Sequence, residues 1–360
     1  LRYGVDLKER EEFTFSPVNF GVVLHAVIRE VCDEIKKNGE SYYLISEEKR
    51  REMVKRSVAA ITDIYQNSIL KDSSRNSFMI KRMEDLADRT VWAMGEQLKC
   101  GDFVPFVFEH KFNMEVGDGD RKQLMSGTID RVDICENGTD VYVRIIDYKT
   151  GKKDFNIVKT YYGIDIQLMV YMEAAMKLVA KMRPGKNVIP AGVFYYNISD
   201  PIVSATTESA DEIEDKIKGE LRLKGMVNSD KDIAEKMDNT EGTSLNIPVS
   251  RKADGGFDSR RSKVMNTEQF NMLGRFVDVR AVDTADRIAG GDIRRSPYKD
   301  GQFSSCDRCP YGAVCGFSVD LPGCNYRKLK KFDDEVLWNN IKEGVDENGK
   351  KMDTGAEERD

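Results

Sequence analysis

Histidine is nearly absent from this sequence, with His25 and His110 the only two. A centre built from three imidazoles is therefore excluded, and any metal must be held mainly by carboxylates, carbonyls or thiolates. Long apolar runs are missing as well. No stretch approaches the roughly 20 apolar residues of a membrane-spanning helix, and no signal-peptide pattern opens the chain. Both absences point to a soluble protein with no membrane partner, in a cytosolic compartment. There is no G-x-x-x-x-G-K-[ST] run, so a P-loop is lacking and any ATP-driven step would lie outside this chain. Neither sign of charge dominates: 56 basic against 62 acidic residues leave a net charge of -6. That balance argues against a simple electrostatic coat for nucleic acid, although basic residues cluster locally at 149–159, 251–263 and 327–331. No internal repeat is visible. The first residue is Leu1 rather than methionine, so the chain is expected to be part of something longer.

What is present centres on residues 124–149. Residues 124–134 read as one strand, 136–140 supply turn chemistry with Asn137-Gly138 at its centre, and 141–148 read as the next strand. This hairpin carries Asp130 on one strand and Asp147 on the other, with Lys149 two residues further on. Side chains two apart in a strand share a face, so Asp147 and Lys149 point the same way. Two carboxylates and an ammonium at the end of a hairpin can hold a divalent cation and poise a water for attack on a phosphodiester. An Asp-x-Lys alone is most often solvated surface. The acid on the paired strand, the Thr150-Gly151 that follows and the helix beyond it favour the chemical reading.

Around the hairpin the pattern alternates helices and strands. Ser16 is the expected N-cap and Pro17 the first residue of a helix whose stripe is Phe20, Leu24, Val27, Ile28 and Val31. Gly21 and His25 lie four apart on one face of it, with Gly21 expected to admit another segment closely. Helices are predicted over 46–70 and 76–100, then a strand over 103–116 that contains Glu109 and His110. A helix over 164–182 places Gln167 and Tyr171 on one face. A central strand over 188–198, a helix over 208–225, a short one near 230–237 and a helix over 266–288 follow. Residues 240–257 read as a polar surface excursion. From 330 the chain is acidic and polar, a tail expected to be disordered beyond 344.

Three of the seven cysteines stand apart from the rest. Cys306, Cys309 and Cys315 have C-x2-C-x5-C spacing, whereas Cys32, Cys100 and Cys135 sit in apolar segments and read as buried thiols. In a reducing compartment a cysteine cluster suggests metal before disulfide. Zinc normally takes a second pair, so three thiolates without a nearby histidine suit a [4Fe–4S] cluster whose fourth ligand comes from elsewhere. A zinc-stabilised interaction domain stays open as an alternative.

Taken together, G-x-x-x-H, Asp130, Asp147-Tyr148-Lys149, Gln167-x-x-x-Tyr171 and the cysteine run resemble the RecB-like branch of the PD-(D/E)XK nuclease superfamily. Tyr3-Gly4-Val5-Asp6-Leu7, Tyr162-Gly163 and Pro190-Ala191-Gly192 are similar to the C-terminal nuclease domains of AddB-type subunits of bacterial helicase–nucleases. The resemblance implies an α/β fold with a mixed central sheet flanked by helices, a nuclease domain over 1–329 and its cysteine motif within 301–329. It implies Mg2+ or Mn2+ held by His25, Asp130, Asp147 and the Tyr148 carbonyl, with Lys149 activating water. Glu109 would support these ligands from behind. Gln167 would orient the lysine or a phosphate, and Tyr171 would touch the DNA backbone. The fourth cluster cysteine would lie upstream of Leu1, with Cys324, outside the family's spacing, as the alternative. The implied activity is cleavage of the 5′-terminated DNA strand beside an AddA partner, in the bacterial cytoplasm; the alternative is a weakly catalytic DNA-binding module. The sequence departs from the family at Thr128, where arginine is usual.

Overall fold

A computed structural model describes residues 17–64, 74–117, 122–204 and 208–357. The chain divides into two compact units. The first comprises 1–111, 128–155 and 175–267, and the second 112–127, 156–174 and 268–360.

Three helices open the first unit: α1 (Pro17–Lys37), α2 (Glu47–Ile64) and α3 (Ser74–Lys99). Each presents an apolar stripe at helical spacing: Leu24, Val27 and Ile28 on α1, Val54 and Val58 on α2, Met83, Ala87 and Val91 on α3. All of these share one buried cluster with sheet residues. The strands are β1 (Val104–Val116), β2 (Gln123–Asn137) and β3 (Asp140–Lys149). Further along come α4 (Ile157–Tyr161), α5 (Gln167–Met182), β4 (Asn187–Asn197), α6 (Ala210–Glu220), β5 (Lys224–Asn228), α7 (Lys231–Met237) and β6 (Val264–Met265). They form a six-stranded sheet in the order β1-β2-β3-β4-β5-β6. Pairing is antiparallel for β2–β3 and β4–β5 but parallel for β3–β4 and β5–β6. The sheet is mixed, as expected. Period-two alternation divides its faces: Tyr142, Ile146 and Tyr148 join the helix-covered cluster, as do Phe194 and Tyr196, while Asp147 and Tyr195 do not.

On the helix-covered side lies a group unusual for a core. Arg131, Asp133 and Arg144 are at most 1% exposed. Asp133 accepts from Arg131 at 2.7 and 2.6 Å and from Arg144 Nε at 2.8 Å. Arg144 also stacks over Phe103, 4.8 Å from the ring centroid.

The second unit takes in α4 and residues 167–174 of α5, together with α8 (Thr267–Ala289), β7 (Tyr298–Asp300), β8 (Phe303–Ser304), α9 (Gly312–Cys315), β9 (Arg327–Lys328) and α10 (Asp334–Glu357). The three short strands form a sheet of order β8-β7-β9. Tyr161 stacks on Phe276 at 5.5 Å and meets Phe332 edge-on at 5.5 Å. The Tyr162 hydroxyl accepts from the Lys330 amide at 3.0 Å.

Several expectations need correction. The hairpin pairs as far as Asn137↔Asp140, so its loop is Gly138-Thr139, with Gly138 at φ +59° rather than Asn-Gly at the centre. The helix expected over 208–225 ends at Glu220, and β5 takes the residues beyond it. A Cβ on Gly225 would overlap the Val193 carbonyl oxygen, which fits a strand pressed against β4. Residues 240–257 are no surface excursion, since Ser244, Ile247 and Val249 are buried. The helix α10 begins at Asp334, and its Leu337 and Ile341 are buried. The expected cap Ser16, residues 1–15 and residues 65–70 of the helix expected over 46–70 lie outside the described residues. Among the described residues, no helix is long and apolar enough to cross a membrane.

Candidate active site

The amphipathic pattern of α1 buries Leu24, Val27 and Ile28 and leaves His25 partly exposed, at 23% of its side chain. From there its Nδ1 reaches Glu109 Oε1 at 3.5 Å and Asp130 Oδ2 at 3.5 Å. One ligand atom from each of His25, Glu109 and Asp130 falls within a 4.8 Å set, the one such group of three among the described residues. Asp130 is anchored by the backbone of the neighbouring strand, for the Tyr148 amide donates to its Oδ2 at 2.7 Å. Tyr148 turns its ring to the other side, edge-on to His25 at 6.0 Å and to Tyr196 at 5.8 Å.

Asp147 and Lys149 share the opposite face of β3, and Lys149 Nζ pairs with Asp147 Oδ2 at 2.5 Å. Burial and the negative charge of Asp130 push the Asp147 carboxyl up to about 6, against the pull of Lys149 and His25. Burial opposes a charge on His25, but its hydrogen bonds to Asp130 and Glu109 and their charges outweigh that, raising it to about 10. Burial leads the first shift, and the negative charge of Asp130 contributes to both. Carboxylates crowd at one place and favour any positive charge brought among them. One imidazole with oxygen donors is a set suited to a hard divalent cation such as Mg2+ or Mn2+ rather than to a thiolate-seeking metal.

Glu109, expected to stand behind the ligands, lies as near His25 Nδ1 as Asp130 does, at 3.5 Å, and it is the single described non-glycine residue with positive φ, at +45°. The sequence signal was only its presence on a strand beside the hairpin. Gly21 is less demanding than expected: a Cβ there would sit 3.7 Å from Thr150 Cγ2, an ordinary contact.

Gln167 and Tyr171 face together at the start of α5, as their spacing predicted, with Gln167 Nε2 donating to the Tyr171 hydroxyl at 2.9 Å. Both belong to the second unit, where Tyr171 meets Phe112 edge-on at 5.8 Å. A Cβ on Gly127 would approach Phe112 to 2.9 Å, so only glycine lets that strand pass the ring. Cys306, Cys309 and Cys315 follow one another along a turn: the Cys309 amide donates to the Cys306 carbonyl at 3.2 Å, and Cys315 ends the single turn of α9. Their thiols do not form a set as tight as that of the His25 group. Cys306, Cys315 and Cys324 are partly exposed and Cys309 is exposed.

Relatives carry the same stretch. The B-type subunit of an ATP-dependent helicase/deoxyribonuclease from Thermoanaerobacter sp. (strain X514) is 33% identical over 364 residues, covering 98% of this chain and 31% of its own length. Its namesake from Caldanaerobacter subterraneus subsp. tengcongensis is 34% identical, over 100% of this chain and 32% of its own. The namesake from Clostridium acetobutylicum is 33% identical, over 97% and 31%. The chain thus spans about a third of the length of the curated relatives it matches. The family model for the PD-(D/E)XK nuclease superfamily matches residues 1–316, a span that takes in the carboxylates, Lys149 and Cys306 to Cys315. On that match, with its mixed sheet and clustered acids, the chain belongs to the PD-(D/E)XK nuclease superfamily.

Proposed function

We propose that this chain is a divalent-metal-dependent deoxyribonuclease that cleaves single-stranded DNA, acting on the 5′-terminated strand within an ATP-dependent helicase–nuclease. The observation that carries this reading is the convergence of His25, Glu109 and Asp130 within 4.8 Å, with the Asp147–Lys149 pair on the adjoining strand. His25, Glu109, Asp130 and Asp147 would hold Mg2+ or Mn2+, with the Tyr148 carbonyl. Bound there, the cation supplies Lewis-acid stabilisation and a water of lowered pKa. The remaining work falls to the chain. Asp130, fixed by the Tyr148 amide, orients the donor set. Lys149 keeps its ammonium beside the attacked phosphate, where it directs the water and stabilises the charge of the phosphorane. Gln167 and Tyr171 would align the DNA backbone. The names of the relatives support a helicase partner of the AddA kind.

Asp147→Ala and Lys149→Ala are each expected to lower cleavage by on the order of 10³-fold or more at unchanged melting temperature. Cleavage of single-stranded DNA with Mg2+ should stop on adding EDTA, and His25→Ala should raise the Mg2+ needed for half-maximal rate. Full activity in the Asp147 or Lys149 variant would remove this reading and leave a DNA-binding module. Cys306, Cys309 and Cys315 would supply three thiolates to a [4Fe–4S] cluster. Iron content and visible absorbance, lost in Cys309→Ser, test that part; one bound zinc in a colourless protein would replace it.

A further inference from the structure

Tyr195 lies one strand away from the lysine to which the proposed reaction gives its central role. It is fully buried, and in the parallel β3–β4 pair it is the register partner of Asp147. Register partners share a face, so its ring lies on the side that carries Asp147 and Lys149. The Lys149 ammonium sits 5.6 Å from the ring centroid. A second ammonium, Lys153, sits 5.2 Å from the same centroid. Lys153 is brought there by a clamp across the loop after β3. Its amide donates to Asn197 Oδ1 at 2.9 Å, and Asn197 Nδ2 donates back to the Lys153 carbonyl at 3.0 Å.

A lysine side chain is a flexible four-carbon stem with a point charge at its tip. The salt bridge to Asp147 draws that tip toward one carboxylate oxygen but does not by itself select one rotamer. An aromatic face attracts a cation through its quadrupole, and more strongly where water is excluded. It does so without carrying charge. A further carboxylate would hold Lys149 as firmly but would cancel the charge a phosphorane needs. A buried neutral ring restricts the ammonium and leaves its charge intact. We propose that Tyr195 is a positioning residue for the cleavage reaction, its ring the platform that fixes the Lys149 ammonium beside Asp147. This rests on the reading of Lys149 given above.

The test compares Tyr195→Phe, which keeps the ring, with Tyr195→Leu, which keeps apolar bulk without it. Both are assayed in the 360-residue chain on single-stranded DNA with Mg2+. Tyr195→Phe should stay within about twofold of the parent, whereas Tyr195→Leu should lose about tenfold in kcat with KM for DNA unchanged. A second readout needs neither metal nor DNA. The Lys149 ε-methylene protons, assigned by their loss in Lys149→Arg, should show an upfield ring-current shift that Tyr195→Phe keeps and Tyr195→Leu abolishes. If Tyr195→Leu does not fold, phenylalanines of increasing fluorination at position 195 preserve shape while weakening the face, and kcat should fall stepwise. A parental kcat in folded Tyr195→Leu, or across the fluorinated series, overturns the proposal, as does a shift that survives loss of the ring. Should Lys149→Ala cut at the parental rate, the catalytic reading falls instead, and the resonance shift still decides whether the ring holds the lysine.

Discussion

Glu109 is the residue at which backbone conformation gives way to site geometry. Its φ of +45° is one that a residue with a Cβ adopts at a cost of about 1–3 kcal/mol, and it places the carboxylate 3.5 Å from His25. Glycine has no such cost, so Glu109→Gly separates the two roles. It is expected to melt no lower than the parent in a thermal scan, yet to need about tenfold more Mg2+ for half-maximal cleavage. Glu109→Ala should show the same metal defect without relief of strain. A Glu109→Gly protein with the parental Mg2+ requirement would exclude the glutamate from the donor set. At this scale the sequence was readable where a period determines geometry. Spacing of four on a helix puts Gln167 beside Tyr171, and spacing of two on a strand puts Asp147 beside Lys149. It gave Glu109 a place only behind the ligands, because one backbone dihedral, not a period, turns that side chain toward His25.

The elements that carry these residues rest on a buried charge group, and its energetics are lopsided. Asp133, fully buried, takes hydrogen bonds from both Arg131 and Arg144. Burial alone would raise its pKa, but the two guanidiniums override burial and hold the carboxyl below the ordinary aspartate range. A depressed folded-state pKa contributes stability that is complete above the unfolded value of about 3.9 and is lost as pH falls through the folded one. Asp133→Ala, which strands two buried cations, is expected to cost about 3–5 kcal/mol in denaturant melts. The melting-temperature advantage of the parent over Asp133→Asn should shrink below about pH 4. An advantage constant from pH 7 to 3 would contradict this account. The hairpin, the central strand β4 and the long helices were legible from alternation and amphipathic stripes. The strand β5 was not. Its five residues follow α6 after three intervening ones, and only pairing with β4 reveals that Gly225 sits in a sheet. Local propensity lost to tertiary contact, as it did again over 240–257, where Ser244 caps a buried turn by bonding Asp238 at 2.7 Å.

On the scale of the whole molecule, the charged C-terminal segment is polar in composition yet makes apolar contacts that composition alone does not reveal. Phe332 stacks with Tyr162 at 6.2 Å, and α10 brings Gly344 so near Phe276 that a Cβ would stand 2.8 Å from the ring. Removing residues 330–360 is therefore expected to expose the Tyr161–Phe276 stack and destabilise the second unit. Limited proteolysis should then cut within 267–289 at protease levels that leave the full chain intact. Unchanged protection would mean that α10 contributes nothing to that unit.

The two units are also interleaved along the chain, and this has a consequence for synthesis. The first unit is complete once residue 267 has been made, but the second draws on 112–127, 156–174 and then 268–360. At roughly 5–20 residues per second, the last segment of about ninety residues takes on the order of 5–20 s to emerge, and the two earlier segments wait for it. During that interval the nascent chain already holds His25, Glu109, Asp130, Asp147 and Lys149, whereas the unit bearing Gln167 and Tyr171 is unfinished. A nascent chain halted within that segment would carry every segment of the first unit and lack one of the second unit's three.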